Sequence, residues 1–150
     1  MPADISWIRS LVPRLHAFGP PAYRPVSAMD DAEANATIAA IGADAGVRDV
    51  LVAESDNGSP IGFVHLETGT DFFTHEKHGH ISVIIVAPDV EGTGVGRALL
   101  DAAEAWTRER GYRFITLNVF ENNAAARRLY ERGGYRIDML RYLKLVRSAE

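Results

Sequence analysis

Apolar residues recur at helical spacing early in the chain and form β-branched runs further along. The segment 5–18 carries six apolar residues at helical spacing, which are Ile5, Ile8, Leu11, Val12, Leu15 and Phe18. This spacing predicts a helix that Pro13 kinks in the middle. A second helix is predicted at 30–41, where Asp30, Asp31 and Glu33 in the first turn would suit the helix dipole.

The rest of the pattern predicts strands that alternate with two further helices. Segments 50–54 and 61–66 read as strands joined by the turn Asp56-Asn57-Gly58, and 68–79 reads as a longer polar connection. A strand at 80–86, a helix ending near Arg110, a strand at 114–119, a helix at 123–132 and a strand at 140–146 follow. One short crossover between 80–86 and 114–119 predicts a parallel pair, and therefore a mixed α/β sheet.

Composition and charge narrow the classes of function. The chain has 150 residues, of which 47% are hydrophobic and 24% charged, as expected for a single globular domain spanning residues 1–150. A formal net charge of −4 argues against nucleic acid or an anionic membrane as the main partner. The absence of cysteine excludes disulfides, thiolate metal sites and thiol nucleophiles. No apolar run has the length of a membrane span or a signal core, so we expect a cytoplasmic protein.

The strongest chemical signal lies between the strand at 80–86 and the helix that follows it. Pro88 ends the apolar run, and Gly92, Gly94 and Gly96 lead into the helix. The first N–H groups of a helix have no intrahelical partner and carry partial positive charge. Glycines let an anion approach these groups closely, so the segment predicts a phosphate- or pyrophosphate-binding loop.

Two common phosphate-binding motifs do not fit this loop. A nicotinamide-binding fold requires Gly-x-Gly-x-x-Gly and an acidic residue at the end of the next strand. The spacing here is Gly92-x-Gly94-x-Gly96, and the next strand ends in Asn118-Val119-Phe120. The nucleoside-triphosphate loop requires Gly-Lys-Ser/Thr, whereas this chain has Gly96-Arg97-Ala98.

Two motifs together point to one family. Val86-Ala87-Pro88 followed by Glu91-Gly92-Thr93-Gly94-Val95-Gly96 resembles the acetyl-CoA signature of the GNAT superfamily of N-acetyltransferases. The stretch 117–135, with Asn123, Leu129-Tyr130-Glu131 and Gly134-Tyr135, resembles the second cofactor motif of that superfamily. The resemblance covers roughly 50–146 and puts the cofactor-binding half at about 80–135.

The resemblance implies the GNAT fold, of class α/β (α+β). In this fold a mixed central β-sheet with a splayed parallel strand pair is flanked by about four helices. The superfamily has an edge strand before its first helix, whereas helix-like sequence begins here by about Ile5. Two interpretations stay open: the first edge strand is missing from this protein, or the sequence begins at an internal methionine. Loss of the strand would expose the edge of the neighbouring strand, which predicts a homodimer.

The resemblance also implies a function and a set of binding residues. The function is transfer of the acetyl group of acetyl-CoA to a primary amine of a small molecule or peptide, by direct attack in a ternary complex and without a metal. The residues implied for acetyl-CoA are Ile84, Ile85, Val86, Glu91, Gly92, Thr93, Gly94, Val95, Gly96, Arg97, Asn123 and Tyr130. Glu91 departs from the Gln or Arg of the superfamily, and its carboxylate would repel a pyrophosphate unless the side chain turns outward.

The resemblance implies one catalytic acid but leaves the general base open. Tyr130 matches the tyrosine that protonates the leaving thiolate, and a phenol with a pKa near ~10 starts protonated. The strand before Val86 has no carboxylate, so His80 acting directly, Glu76 acting through a water, and a chain of waters all stay open as the general base. Residue types alone would also allow a zinc site in segment 75–80, although a polar loop beside the substrate cleft is the favoured interpretation.

Other functions stay open at this point. An acyl-CoA-binding sensor without catalysis is favoured by Glu91 and by the missing strand carboxylate, and disfavoured by Tyr130. A nucleotide-binding regulatory domain is a third reading. The acceptor amine is not specified by the sequence, because the segments expected to select it, 18–30 and 67–80, resemble the superfamily least.

Overall fold

The computed structural model describes residues 2–41 and 46–147. For residues 2–4 it describes the backbone only. Its helices are α1 (Pro2–Leu11), α2 (Val26–Ala40), α3 (Val95–Glu109) and α4 (Ala124–Arg132), and its strands are β1 (Arg48–Glu54), β2 (Pro60–Thr70), β3 (Lys77–Val86) and β4 (Ile115–Leu117). Short 3₁₀ turns cover Val12–His16 and Pro88–Val90. None of the helices in the described ranges is long and apolar enough to span a membrane.

The four strands form one mixed sheet in the order β1-β2-β3-β4. The β1/β2 and β2/β3 pairs are antiparallel, and β3/β4 is parallel with α3 as the crossover. This confirms the predicted mixed sheet with one parallel pair. Among the described residues the sheet begins at β1, and the elements before it are α1, the 3₁₀ turn Val12–His16 and α2.

The two faces of the sheet pack against different helices because strand side chains alternate. Phe63 of β2 faces α1 and α2, in a cluster with the buried residues Ile8, Leu11, Val12, Ala34, Val83 and Ile85. Val64 and Leu66 face α3, in a second cluster that includes Leu99, Leu100, Ala103 and Trp106. His65 and Glu67 therefore lie on the α1/α2 face, together with Phe63.

A β-bulge interrupts β3 near its middle. His65 pairs with Val83 whereas the next residue, Leu66, pairs with Ile81, so Ser82 is an extra residue on β3. The parallel pairing with β4 covers only Gly79 to Ile81. From Ser82 onward, no strand of the described residues lies beside the edge of β3 that faces β4.

The helices before the sheet differ from their predicted bounds. The predicted kink falls at the end of α1, where Leu11 is followed by the 3₁₀ turn that contains Pro13. The second helix begins at Val26, because the extended Pro25 acts as its N-cap. Asp30 therefore lies beyond the first turn, where it contacts His16 (Oδ1 to Nδ1, 2.6 Å).

The predicted polar connection at 68–79 is wrong over half of its length. β2 continues to Thr70 and β3 begins at Lys77, so only a short turn separates them. Asp71 stabilises this turn by accepting hydrogen bonds from the backbone N–H and the hydroxyl of Thr74, both at 2.9 Å. Polar residues extend the hairpin because one face of it stays partly solvated. The Asp56-Asn57-Gly58 turn forms between β1 and β2 as predicted, with Gly58 at φ +83°.

The predicted last strand at 140–146 is also wrong for this chain. The segment pairs with no strand in the described part of the chain, and a strand requires a neighbour for its backbone groups. Seven large apolar side chains of 137–146 are 46–89% exposed, namely Ile137, Met139, Leu140, Tyr142, Leu143, Leu145 and Val146. We call residues 137–146 the C-terminal arm.

Candidate functional site

The glycine loop before α3 is open above its backbone. Gly92 and Gly94 have φ of +75° and +94°, and a Cβ added at either would meet nothing within 4 Å. These two glycines are therefore required by backbone conformation rather than by packing. Gly96 differs, because its Cβ would lie 3.2 Å from Cδ2 of Leu129, so it allows α3 to pack closely on α4.

The loop leaves free donors at the start of α3. Gly94 is the N-cap and provides no side-chain cap, and the first helical hydrogen bond joins the Ala98 N–H to the Gly94 carbonyl at 3.0 Å. The N–H groups of Val95, Gly96 and Arg97 thus have no acceptor within the helix. Three such donors at a helix N-terminus form an anion-binding site.

Glu91 of this loop is paired with a residue from the N-terminal segment. Arg14, in the first 3₁₀ turn, forms an ion pair with the Glu91 carboxylate. The same guanidinium donates through Nε to the Val86 carbonyl at 3.2 Å. The Glu91 side chain is 64% exposed, so it has the outward orientation that a neighbouring anion requires. Arg14 therefore supplies a positive charge beside the acidic residue of the loop.

Two other predicted helpers of the loop are engaged elsewhere. The Thr93 hydroxyl donates to the Val90 carbonyl and so closes the loop on itself. Arg97 donates to Asp101 (Nε to Oδ1, 3.1 Å) and to the Arg132 carbonyl (3.3 Å), along α3 and the end of α4. Their side chains therefore stabilise the loop and its helix, while their backbone lies at the open surface.

The bare edge of β3 leads to this loop. Ile84, Ile85 and Val86 lie on β3 after the bulge at Ser82, where β3 no longer pairs with β4. Their side chains alternate between the two cores, with Ile85 in the α1/α2 cluster and Ile84 and Val86 against α3. Backbone groups on a free strand edge can pair with an added extended chain.

Asn123 and Tyr130 of the second motif both lie at α4. Asn123 is the N-cap of α4, where its side chain accepts from the Ala126 N–H at 3.3 Å. Tyr130 lies on α4 and packs against the α3 cluster, with its ring 6.1 Å from that of Tyr135. Burial raises the pKa of Tyr130 to about 12, so the phenol is protonated at neutral pH. Its hydroxyl has no hydrogen-bond partner among the described residues.

Of the two predicted bases, only His80 lies inside the sheet. Its Nδ1 is 2.8 Å from Oγ1 of Thr116 on β4, and burial lowers the pKa of His80. Glu76 lies at the turn before β3, where both of its oxygens accept from Arg113 at 3.0 Å. The carboxylate of Glu76 is thus held by a guanidinium.

His78 and His80 approach the same Thr116 hydroxyl, with their Nδ1 atoms 3.4 Å and 2.8 Å from Oγ1. His78 stacks on Phe114 with ring centroids 4.8 Å apart, and its Nδ1 lies 2.9 Å from the Gly79 carbonyl. Within the ranges that the structure describes, no three His, Asp or Glu side chains group as metal ligands.

The structure also brings in polar residues that the sequence interpretation missed. His65 is fully buried, with Nδ1 3.3 Å from the Thr37 hydroxyl and Nε2 3.3 Å from Oε1 of Glu67. The second contact is within ion-pair distance but outside hydrogen-bond geometry, so Nε2 lacks a hydrogen-bond partner. Burial lowers the pKa of His65, and the nearby Glu67 opposes that shift. Extending the Phe63-His65-Glu67 alternation beyond Leu66 would have found Glu67, whereas no local signal reveals Arg14.

Comparison with known proteins agrees with this geometry. The family model described as acetyltransferase (GNAT) family matches residues 14–135. A curated relative named mycothiol acetyltransferase, from Propionibacterium freudenreichii subsp. shermanii, is 38% identical over 88 residues. That match covers 59% of this chain but only 28% of the relative.

Two solved structures share the fold. A GCN5-related N-acetyltransferase from Ralstonia eutropha JMP134 superposes with a TM-score of 0.74 at 23% identity, covering 95% of this chain and 93% of that one. AAC(6')-Iy, solved in complex with the bisubstrate analogue CoA-S-monomethyl-acetylneamine, gives a TM-score of 0.69 at 19% identity. The coverage is 97% of this chain and 93% of that one.

Proposed function

The chain belongs to the GNAT acetyltransferase family, and on that premise we propose that it transfers the acetyl group of acetyl-CoA to a primary amine by direct attack in a ternary complex. The observation that carries the proposal is the free edge of β3 beyond Ser82, which leads directly to the donor cluster at the start of α3. A strand-like chain that ends in phosphates fits both features at once.

Acetyl-CoA would be held mainly by backbone groups. The N–H groups of Val95, Gly96 and Arg97 would bind the pyrophosphate, and the 84–86 edge would pair with the pantetheine amides. An N–H on that edge, aimed at the thioester oxygen, would stabilise the developing oxyanion, a contribution of typically about 3 kcal/mol in a dry site. Because Arg14 neutralises Glu91, the unusual acidic residue is compatible with an anionic ligand.

The chemistry needs an acid and a base on opposite sides of the thioester. Tyr130 is the proposed acid for the departing thiolate, since burial keeps its phenol protonated. His80 is favoured as the base over Glu76, because burial favours its neutral form while Glu76 is held by Arg113. A non-catalytic acyl-CoA-binding module is the second candidate, favoured by the absence of a carboxylate on β3.

The experiment combines calorimetric titration of acetyl-CoA with a thiol-release assay on a panel of amines. The panel contains a polyamine, an amino sugar, an amino acid amide and a peptide. We expect micromolar binding, turnover on at least one amine, and a loss of kcat of about 10²-fold or more in Tyr130→Phe. Tyr135→Phe is the matched control, because its hydroxyl is buried without a partner. Binding without turnover would favour the sensor, and no binding would refute the proposal.

We also propose that the protein is a homodimer. The outer edge of β1 pairs with no strand among the described residues, and the C-terminal arm exposes seven large apolar side chains. A second copy of the chain would cover these exposed apolar side chains, since large apolar patches on a surface often mark protein–protein interfaces.

A further inference from the structure

A row of polar residues crosses all four strands on the α1/α2 face of the sheet. Arg48 on β1 lies directly opposite Glu67 on β2, Glu67 lies opposite His80 on β3, and His80 lies opposite Thr116 on β4. Side chains that oppose each other in this way have Cβ atoms about 5 Å apart. The four side chains therefore form a continuous polar strip in an otherwise apolar sheet.

The strip is open to solvent at the β1 side. An open groove of about 340 Å³ is lined by Val47, Arg48, Glu67 and Thr68. The Glu67 side chain is 41% exposed, so its carboxylate is within reach of a molecule in this groove. Towards the other side, His80 lies two residues before the bulge at Ser82, about 7 Å along the strand. The strip thus connects the groove to the point where the β3 edge opens.

The contacts of His80 indicate which of its ring nitrogens can accept a proton. If its Nδ1–H donates to the Thr116 hydroxyl, 2.8 Å away, the lone pair is on Nε2. The titratable groups that act on it are His78 on its own strand and Glu67 and His65 on β2, and burial outweighs them all in lowering its pKa. His80 is therefore neutral at pH 7 and able to act as a base.

The buried side chain of His65 contacts the carboxylate of Glu67. His65 Nε2 lies 3.3 Å from Oε1 of Glu67 without a proper hydrogen bond, while its Nδ1 contacts Thr37 of α2. The unpartnered Nε2 is fully buried, which is costly unless another polar atom completes its bonding. The buried His65 thus joins Glu67 to α2.

We propose that Glu67 and His80 form the binding site for the acceptor, which is an aliphatic primary amine bound as its ammonium ion. This inference rests on the proposed acetyl transfer. Glu67 binds the ammonium by charge and hydrogen bonding, His80 takes its proton, and His65 is a positioning residue for Glu67. The chemical class follows from the carboxylate, which favours a charged aliphatic amine over an uncharged aromatic one.

The step balances as follows. One N–H⁺ proton of the ammonium moves to Nε2 of His80 and later to solvent. The free amine then forms a C–N bond to the thioester carbonyl carbon, and the C–S bond breaks. The thiolate takes the Tyr130 proton, and the second proton of the attacking nitrogen restores the Tyr130 phenol. The products are an amide, a free thiol and one proton.

Binding can be tested without turnover. We would titrate n-butylammonium chloride into protein with ¹³C-labelled histidine, saturated with CoA, and follow the ring Cε1–H resonances of His65 and His80. We expect saturable shifts at pH 7, at least tenfold weaker in Glu67→Gln. Glu54→Gln, an exposed carboxylate on β1 outside the strip, is the matched control. Tetramethylammonium, which has no N–H donor, should shift neither resonance.

Kinetics separates the two roles. With the best amine of the panel, Glu67→Gln should raise the KM of the amine at least tenfold and leave that of acetyl-CoA unchanged. His80→Gln should lower kcat/KM about 10²-fold at pH 7 and recover as the pH approaches the pKa of the amine, near ~10. Lack of any histidine shift with n-butylammonium would overturn the inference, as would a pH-independent defect in His80→Gln. Saturable shifts without turnover would instead leave the amine site standing and refute the proposed transfer.

Discussion

Arg14 and Glu91 form an ion pair across 77 residues of sequence, and the pair lies beside the glycine loop that precedes α3. Arg14 also donates to the Val86 carbonyl, so one guanidinium connects the end of β3 to the loop. The acidic Glu91 is therefore compatible with an anion site because its charge is compensated from a distant segment. The two residues should be energetically coupled in acetyl-CoA binding.

This coupling predicts opposite effects for the two single substitutions. Arg14→Gln leaves the Glu91 carboxylate uncompensated near the pyrophosphate, so we expect the Kd of acetyl-CoA to rise about tenfold, or about 1.4 kcal/mol. Glu91→Gln frees Arg14 and should lower the Kd several-fold. The double variant should return close to the Kd of the wild type. Calorimetric titration at fixed salt measures all four proteins.

Arg108→Gln is the control for this cycle, because Arg108 pairs with Glu104 on the exposed side of α3. It should not change the Kd. An unchanged Kd in Arg14→Gln, or a double variant that binds as weakly as Arg14→Gln, would show that compensation of Glu91 by Arg14 has no role in binding.

A second prediction concerns the left-handed backbone of the loop. Gly94→Ala forces a Cβ onto a residue at φ +94°, a strain of about 1–2 kcal/mol, and moves the free N–H groups out of line. We expect a lower melting temperature and acetyl-CoA binding weakened more than tenfold. Gly58→Ala has similar strain at φ +83° in the β1–β2 turn, far from the loop in sequence. If both variants bind acetyl-CoA equally well, Gly94 serves stability alone.

Local patterns predicted most of this architecture, and long-range pairing explains what they missed. The glycine loop, α3, α4 and the parallel strand pair each have a local signal, so their existence was predictable. The predicted strands of the β2–β3 hairpin were too short, because Glu67 and His78 are polar residues that only their cross-strand partners keep in strands. The C-terminal arm was predicted as a strand from its β-forming residues, but it has no partner strand within residues 2–41 and 46–147.

In the candidate site, too, local motifs predicted some residues and long-range contacts determine the others. The backbone donors of Val95 and Gly96 follow from a motif, whereas Arg14 reaches the loop only through the fold. Glu76 shows the limit of residue type as a guide: its carboxylate is near His80 in sequence but is held by Arg113. Predicting a base requires knowing which neighbours already bind each candidate.

Close packing between the sheet and α3 gives a prediction on stability. A Cβ on Gly79 would lie 2.3 Å from the Thr107 hydroxyl, which itself donates to the Ala103 carbonyl at 2.8 Å. We expect Gly79→Ala to destabilise the protein by about 1–3 kcal/mol in urea unfolding. Thr107→Ala should make room for that methyl group, so the double variant should be more stable than Gly79→Ala. Additive losses would place the cost elsewhere.

The buried histidines predict how stability depends on pH. Burial lowers the pKa values of His65 and His80 in the folded state, so the unfolded chain binds protons more tightly. The free energy of unfolding should be highest above about pH 6.5, the pKa of a histidine in the unfolded chain. Below that pH it should fall by at most about 1.4 kcal/mol per pH unit for each histidine. Urea unfolding from pH 7.5 to 5 measures the slope. His80→Gln should reduce that slope, and an equal slope in the variant would show that His80 does not contribute.

The C-terminal arm gives the prediction on assembly. Tyr142 is 89% and Val146 85% exposed, so in a monomer both could be replaced by lysine at little cost to folding. If a second copy covers the arm, sedimentation equilibrium should show a dimer in the wild type and a monomer in Tyr142→Lys/Val146→Lys. Phe72→Lys/Phe73→Lys, at 84% and 76% exposure in the turn between β2 and β3, is the matched control and should stay dimeric. A wild-type chain that sediments as a monomer at all concentrations would refute the homodimer, and a dimer unaffected by the arm variant would place the interface elsewhere, for example at the free edge of β1.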